Sequence, residues 1–294
     1  MCENLKVVRL FDPWKSQLCS CPVKYSLNPY TGCGHGCLYC YVSYVPKFFN
    51  PRTKKDLIRF MELDMRKVEK GAIISISNSS DPYQPIEADY GESRKVLEAL
   101  TKYSVRILII TKSAMILKDL DIFRKLKSAV MLTVTTLKND LAQRLEPFAS
   151  PPFKRLYALE KLVENGIPCG VRIDPIIPCI NEEEVEEIVK EAKARGASHV
   201  TSSTYKARKH NFIRIVREFP QISKKLRKLY LENGQWIRGT LYAPEEIRRE
   251  IMERTRDACA KYQMTFSTCR EGFYDLNNSE SCDGSHLINQ KNPR

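Results

Sequence analysis

The chain has 294 residues, 43% of them hydrophobic, enough for one large core or two modest domains, and it carries a formal charge of +13. No apolar run reaches the roughly 18 residues that a transmembrane helix needs. Residues 1–10 mix charges of both signs with no apolar h-region, so no signal peptide is expected and a cytosolic protein is.

Eleven cysteines are many for such a chain. An odd count, the size and the missing leader argue against a disulfide framework, so grouped cysteines point to metal. They do fall in groups: Cys19 with Cys21, then Cys33, Cys37 and Cys40, then Cys269 and Cys282. Cys2, Cys169, Cys179 and Cys259 stand alone, where small buried hydrophobes are expected.

Along the chain, a segment of little regular pattern (1–24), holding the Cys-x-Cys pair, precedes a short strand near 25–29. Strand-like runs follow at 72–78 (AIISISN), 105–111 (VRILIIT), 130–136 (VMLTVTT), 170–177 (GVRIDPII) and 198–204 (SHVTSST), all rich in β-branched residues. Amphipathic helices are expected between them at 54–69, 91–103, 115–127, 152–165 and 182–195. Gly71, Gly166 and Gly196 sit where helices would end. Strand and helix alternating at this spacing imply βαβ units, a parallel sheet and chemistry at the carboxyl ends of the strands. The sheet could be open or a partial barrel.

After residue 204 the pattern changes to a basic helical stretch (208–230), a charged helix opening at Pro244 and Glu245, and a Cys-containing tail. The divisions expected are 1–24, 25–205, 206–263 and 264–294. From Lys206 to Lys228 there are nine Lys or Arg against one acid, Glu218, whereas 182–187 holds five acids and no base. Charge so segregated can attract a polyanion, DNA or RNA; the alternative is a solvated helix face.

Residues 28–42 read NPYTGCGHGCLYCYV. Three thiolates spaced Cys-x3-Cys-x2-Cys can wrap one face of a cubane cluster, and a three-ligand set leaves one metal open to substrate where a structural site would be closed. Zinc completed by His35 or a remote Cys, and an electron-transfer cluster with a distant fourth ligand, are the alternatives. The spacing, with Tyr39 just before the last Cys and the loop following the first strand, resembles the radical S-adenosylmethionine (SAM) signature. That resemblance implies a partial (β/α)6 TIM-type barrel with N- and C-terminal extensions. It also implies a [4Fe–4S] cluster on Cys33, Cys37 and Cys40 that cleaves SAM to a 5′-deoxyadenosyl radical, and an electron donor such as ferredoxin or flavodoxin.

The resemblance further implies that later strand ends hold SAM. Here those ends carry Ser80 and Asp81, Lys112, Thr135, and Arg172 alternating with Asp174. A Lys for the carboxylate and hydroxyls for the amine and ribose suit the ligand's charges. More narrowly, residues 25–205 resemble the spore photoproduct lyase-like branch, which implies DNA repair or another nucleic-acid modification. Peptide, protein or small-metabolite modification, and a non-catalytic Fe–S or zinc nucleic-acid-binding protein, are the competing functions. One departure stands out: no Cys lies between 41 and 168, and Asn78 takes the place of that lyase's hydrogen-donating Cys.

Cys19, Cys21, Cys269 and Cys282 could close a second site, Fe–S or zinc. The run Cys282-Asp-Gly-Ser-His286 is similar to half of the CDGSH cluster motif, which makes His286 an alternative fourth ligand.

Overall fold

A computed structural model describes residues 5–11 and 17–290. Its centre is an eight-stranded sheet in the order β1-β2-β3-β4-β5-β6-β7-β10. These are β1 (Val8–Leu10), β2 (Tyr25–Leu27), β3 (Ile73–Ile76), β4 (Arg106–Thr111), β5 (Lys127–Thr133), β6 (Cys169–Ile176), β7 (His199–Thr204) and β10 (Thr265–Thr268). The chain between β7 and β10 forms a separate hairpin, β8 (Gln235–Ile237) with β9 (Thr240–Tyr242). Strands β2 to β7 and β10 pair in parallel, and β1 alone is antiparallel, against β2.

The six expected strands therefore form the middle of the sheet as an open, partial barrel. Its two edges, β1 and β10, come from outside residues 25–205. Both are too short, at three and four residues, to leave a period in the sequence.

Helices such as Leu57–Met65, Glu92–Leu100, Pro152–Glu164 and Val185–Ala194 cover the outer face. Their apolar stripes meet the outward side chains of the strands in one continuous core that includes Ile74, Ile107, Val130, Val171 and Val200. The inward side is filled differently. Leu287 and Ile288 of the tail pack on Leu108, Ala129 and Met131, so this part of the tail plugs the barrel interior. Parallel strands buried on both faces read as apolar runs, as ILII in β4 and AVML in β5 do, whereas β7 (HVTSST) is polar though fully buried.

The basic stretch expected as one helix is broken. A helix over Lys209–Glu218 ends before Pro220, whose ring cannot continue it, and a second starts at Ser223. Phe212, Leu226, Tyr230 and Leu241 bury together with Cys37, Tyr39 and Tyr205, welding this extension to the cysteine loop.

Candidate active site

Cys33, Cys37 and Cys40 lie on the loop after β2, at the carboxyl end of the sheet. Backbone and side-chain hydrogen bonds moor that loop. Cys33 N donates to Phe48 O at 2.8 Å, Gly34 N to Gln84 Oε1 at 2.6 Å, and Leu38 N to Leu145 O at 2.9 Å. From the basic extension, Asn211 Nδ2 donates to Tyr39 O at 3.1 Å and Arg214 Nε to Leu38 O at 3.0 Å. Burial pushes the Cys33 thiol up to about 12, and Cys37 and Cys40 upward too. Metal binding here must displace protons held by a dry environment.

The loop faces a cavity of about 440 Å³. Of the residues expected at the site, Tyr39, Ser80, Asp81, Lys112, Arg172 and Asp174 line it with the cysteine triplet. Ser80, Asp81 and Lys112 come from the turns after β3 and β4, Arg172 and Asp174 from within β6, and Tyr39 from the cysteine loop. Thr135 is not among them. The strand ends at Thr133, so alternation stops there, and Thr133 lines the cavity instead. Thr135 lies beside Asn181, whose amide donates to its carbonyl at 2.6 Å.

Several side chains are committed to one another. Arg172 Nη2 sits 2.6 Å from Asp174 Oδ2, and Ser203 Oγ donates to Asp174 Oδ1 at 2.6 Å. Burial works against the Asp174 charge, yet Arg172 and Lys206 hold its carboxyl well below the usual carboxylate range. Asp81 accepts from Thr111 Oγ1 at 2.7 Å and Lys112 N at 2.8 Å, and faces His35 Nε2 at 3.2 Å. Tyr39 gives its hydroxyl to buried Glu146, which is also paired with buried Arg155. The Lys112 ammonium stands 5.8 Å from the Tyr39 ring centroid.

Sequence reasoning missed this supporting layer: Gln84, Glu146, Arg155, Asn211 and Arg214. Gln84 and Glu146 lie outside helices and Arg155, Asn211 and Arg214 on them, and isolated polar residues carry no period by which they could have been found. His35 was a candidate zinc ligand. Its Nδ1 instead meets Phe148 O at 3.1 Å and its Nε2 faces Asp81, so it braces the loop.

A cluster and SAM fit this cavity on two observations. Three thiols converge with no fourth Cys on their loop, and the Ser77 and Ser80 hydroxyls are buried at the wall without a hydrogen-bond partner. Orphaned donors in a cavity are what a polar ligand would satisfy.

The Radical SAM superfamily profile matches residues 27–192. The chain belongs to the radical SAM superfamily. The family implies a [4Fe–4S] cluster and SAM. An uncharacterized protein of Methanocaldococcus jannaschii is 37% identical over 175 residues, 58% of this chain and 66% of that protein. A Radical SAM Nalpha-GlyT isomerase of Pseudomonas phage M6 is 22% identical over 83% of this chain and 53% of its own length. Among solved structures, a spore photoproduct lyase mutant with bound AdoMet and dinucleoside spore photoproduct superposes with a TM-score of 0.69. It is 17% identical, over 90% of this chain and 79% of that one, a likeness of fold.

The other expectations distribute unevenly. Cys169 and Cys259 are buried among apolar side chains as small hydrophobes, Cys179 is exposed, and Cys2 lies outside the described residues. Of the nine basic residues, Lys206 is buried against Glu271 at 2.8 Å and Arg214 holds the cysteine loop. Lys209, Arg217, Lys224, Lys225, Arg227 and Lys228 face outward. Among the described residues no helix is long and apolar enough to cross a membrane.

Proposed function

We propose that this radical SAM protein is an enzyme that cleaves SAM at a cluster held by Cys33, Cys37 and Cys40 and acts on a nucleic acid. Cluster and SAM together supply one chemistry, hydrogen-atom abstraction from an unactivated carbon. The chain's own residues do the rest. Ser77 and Ser80 offer hydroxyls to the polar end of SAM, and Lys112 offers a cation to its carboxylate. Tyr39, held by Glu146, offers a flat face. The Arg172–Asp174 pair supplies both charges on the opposite wall. Depth and apolar backing exclude water from the reacting carbon.

The observation that carries the nucleic-acid reading is the continuity between cavity and basic surface. Lys206 lines the cavity, and the chain runs from it directly into the helix bearing Lys209 and Arg217. Ala207 pairs with Leu241 of the β8–β9 hairpin, on which Trp236 is 68% exposed. Cations for phosphates beside an exposed indole for a base are what single-stranded or flipped-base recognition uses. The dinucleoside ligand of the structurally similar lyase supports the same direction.

The test is anaerobic reconstitution followed by SAM and dithionite, with and without oligonucleotides. The reading requires 5′-deoxyadenosine from the wild type and none from the Cys33/Cys37/Cys40→Ala variant. Neutralising Lys224, Lys225, Arg227 and Lys228 should weaken oligonucleotide binding and flatten its dependence on salt, because fewer counterions are released. An unchanged salt slope would leave this as a solvated surface and move the substrate to another class.

A further inference from the structure

Two cysteine pairs separated by most of the chain meet in the fold. Cys282 Sγ lies 3.4 Å from Cys21 Sγ, and Cys19 is also hydrogen-bonded to Cys21. Cys269 is close enough to interact electrostatically with both Cys19 and Cys282. Its position is fixed by its own backbone N–H, which donates to Ser202 O at 2.7 Å at the carboxyl end of β10. Cys19, Cys21 and Cys269 line the same cavity as the catalytic triplet, and Cys282 stands behind Cys21.

These thiols are unlike the chain's structural cysteines. Cys169 and Cys259 are embedded in the apolar core, with 1% and 0% of their surface exposed. The four here are surrounded by polar and charged groups. Arg172 donates to Cys269, and Lys24 and Asp283 form a buried ion pair next to Cys21 and Cys282. A thiolate-ligated centre is anionic, and buried cations on its flank are the compensation it needs.

We propose that Cys19, Cys21, Cys269 and Cys282 ligate a second iron–sulfur cluster on the wall of the SAM cavity. The close contact of Cys21 and Cys282 resembles two thiolates on one tetrahedral metal. Metal–sulfur bonds of about 2.3 Å put such ligands about 3.8 Å apart. Among the described residues, however, no three His, Cys, Asp or Glu side chains gather tightly enough for a single ion. The Cys33–Cys37–Cys40 triplet likewise makes no such group, and the family puts a multi-iron cluster there. Thiols that meet only pairwise, without three closing on one point, favour a cluster over zinc. His286 stays the alternative to one of the four: its Nδ1 is 2.8 Å from Ser281 Oγ and its ring packs edge-on against His199 at 4.7 Å, but its Nε2 is buried without a hydrogen-bond partner.

The consequence for the fold is a clasp. Residues near both ends already touch here, through Tyr274 OH to Gln17 O at 2.8 Å as well as Lys24 to Asp283. A shared cluster would fasten the two segments that wall and floor the cavity, and its binding energy would be folding energy for both.

The full chain is reconstituted anaerobically with iron and sulfide after Cys33, Cys37 and Cys40 are changed to Ser. Iron and sulfide should remain bound, and a further Cys269→Ser and Cys282→Ser change should take both to background. Because that variant could fail to fold, wild type is counted in parallel. It should hold iron beyond one [4Fe–4S] cluster per chain, and Cys21→Ser alone should lower that excess. A metal-free triple variant, a wild type with one cluster's worth of iron, or zinc retained without sulfide would each overturn the proposal. None of these readouts depends on SAM cleavage, so failure of the enzymatic reading is distinguishable.

Discussion

Asp81 Oδ2 lies 3.2 Å from His35 Nε2, joining the end of β3 to the middle of the cysteine loop. Burial works against the charge on Asp81. The neighbouring His35, with hydrogen bonds from Thr111 and Lys112, nevertheless holds its carboxyl down at about 2. Asp81 is therefore a positioning residue for the triplet. Asp81→Asn keeps the shape but sets an amide donor against donors. Hydrogen bonds to buried charged groups contribute about 1.5–3 kcal/mol each, so a loss of about 2 kcal/mol is expected in urea unfolding. Iron uptake should slow as the loop loosens. Wild-type stability in the Asn variant would show that His35 is held by Phe148 alone.

Lys24 and Asp283 form an ion pair with side chains 1% and 5% exposed, at the junction of the N-terminal segment and the tail. Removing one member of a buried pair strands the other charge and costs about 3–5 kcal/mol. Lys24→Met should lose about that much in thermal or urea unfolding. The double change Lys24→Met with Asp283→Leu should recover most of it, since no charge is then stranded. If both variants are equally destabilised, the pair matters through packing and not through charge.

What could be read from the sequence follows from range of interaction. The cysteine loop, Ser80, Asp81, Lys112, Arg172 and Asp174 were legible because each sits at a fixed offset from a strand with its own periodicity. The barrel was legible for the same reason, through βα alternation. Not legible were the pairings that join distant segments: Tyr39 to Glu146 across 107 residues, Arg214 to the loop across 176, Lys24 to Asp283 across 259. Thr135, taken from the resemblance, lies past the strand that ends at Thr133 and does not line the cavity. The break in the basic stretch was readable at Pro220, and the hairpin that follows is too short to leave a period.

His199 offers a pH test of the tail's docking. Its Nδ1 meets Thr265 Oγ1 at 2.9 Å and its Nε2 meets Thr201 Oγ1 at 3.1 Å, while Thr201 spends its own proton on Cys282 O. Thr265 Oγ1 also lies 3.2 Å from Ser198 O, so a neutral ring satisfies both contacts when Thr265 turns its one proton to Nδ1 instead. Burial, with the neighbouring His286 and Arg172, lowers its pKa from 6.5 to about 3, although Asp283 works the other way. The stability this group contributes is thus complete above pH 6.5 and is lost as pH falls from there toward 3. The slope approaches about 1.4 kcal/mol per pH unit. His199→Gln should be less stable at pH 7.5 yet show a shallower decline between pH 6.5 and 5, where carboxylates still hold their charge. Parallel declines in urea midpoints of the two proteins would mean that His199 is protonated without cost.

Gly32 tests whether the cysteine loop tolerates any relaxation. Its φ is +82°, and a Cβ there would stand 2.5 Å from Phe48 O, the same carbonyl that accepts the Cys33 N–H at 2.8 Å. Side chain and backbone conflict at once, and the neighbour that must yield is main chain, which cannot rotate aside. Gly71 is the control: its φ is +77°, but nothing lies within 4 Å of an added Cβ. Gly71→Ala should cost only the strain of a left-handed residue, about 1–2 kcal/mol. Gly32→Ala should cost more, and it alone should lower the iron bound per chain after reconstitution, because Phe48 O moves and Cys33 moves with it. Equal melting temperatures and equal iron for the two variants would show that the loop adjusts freely and that the triplet is not preset by its backbone.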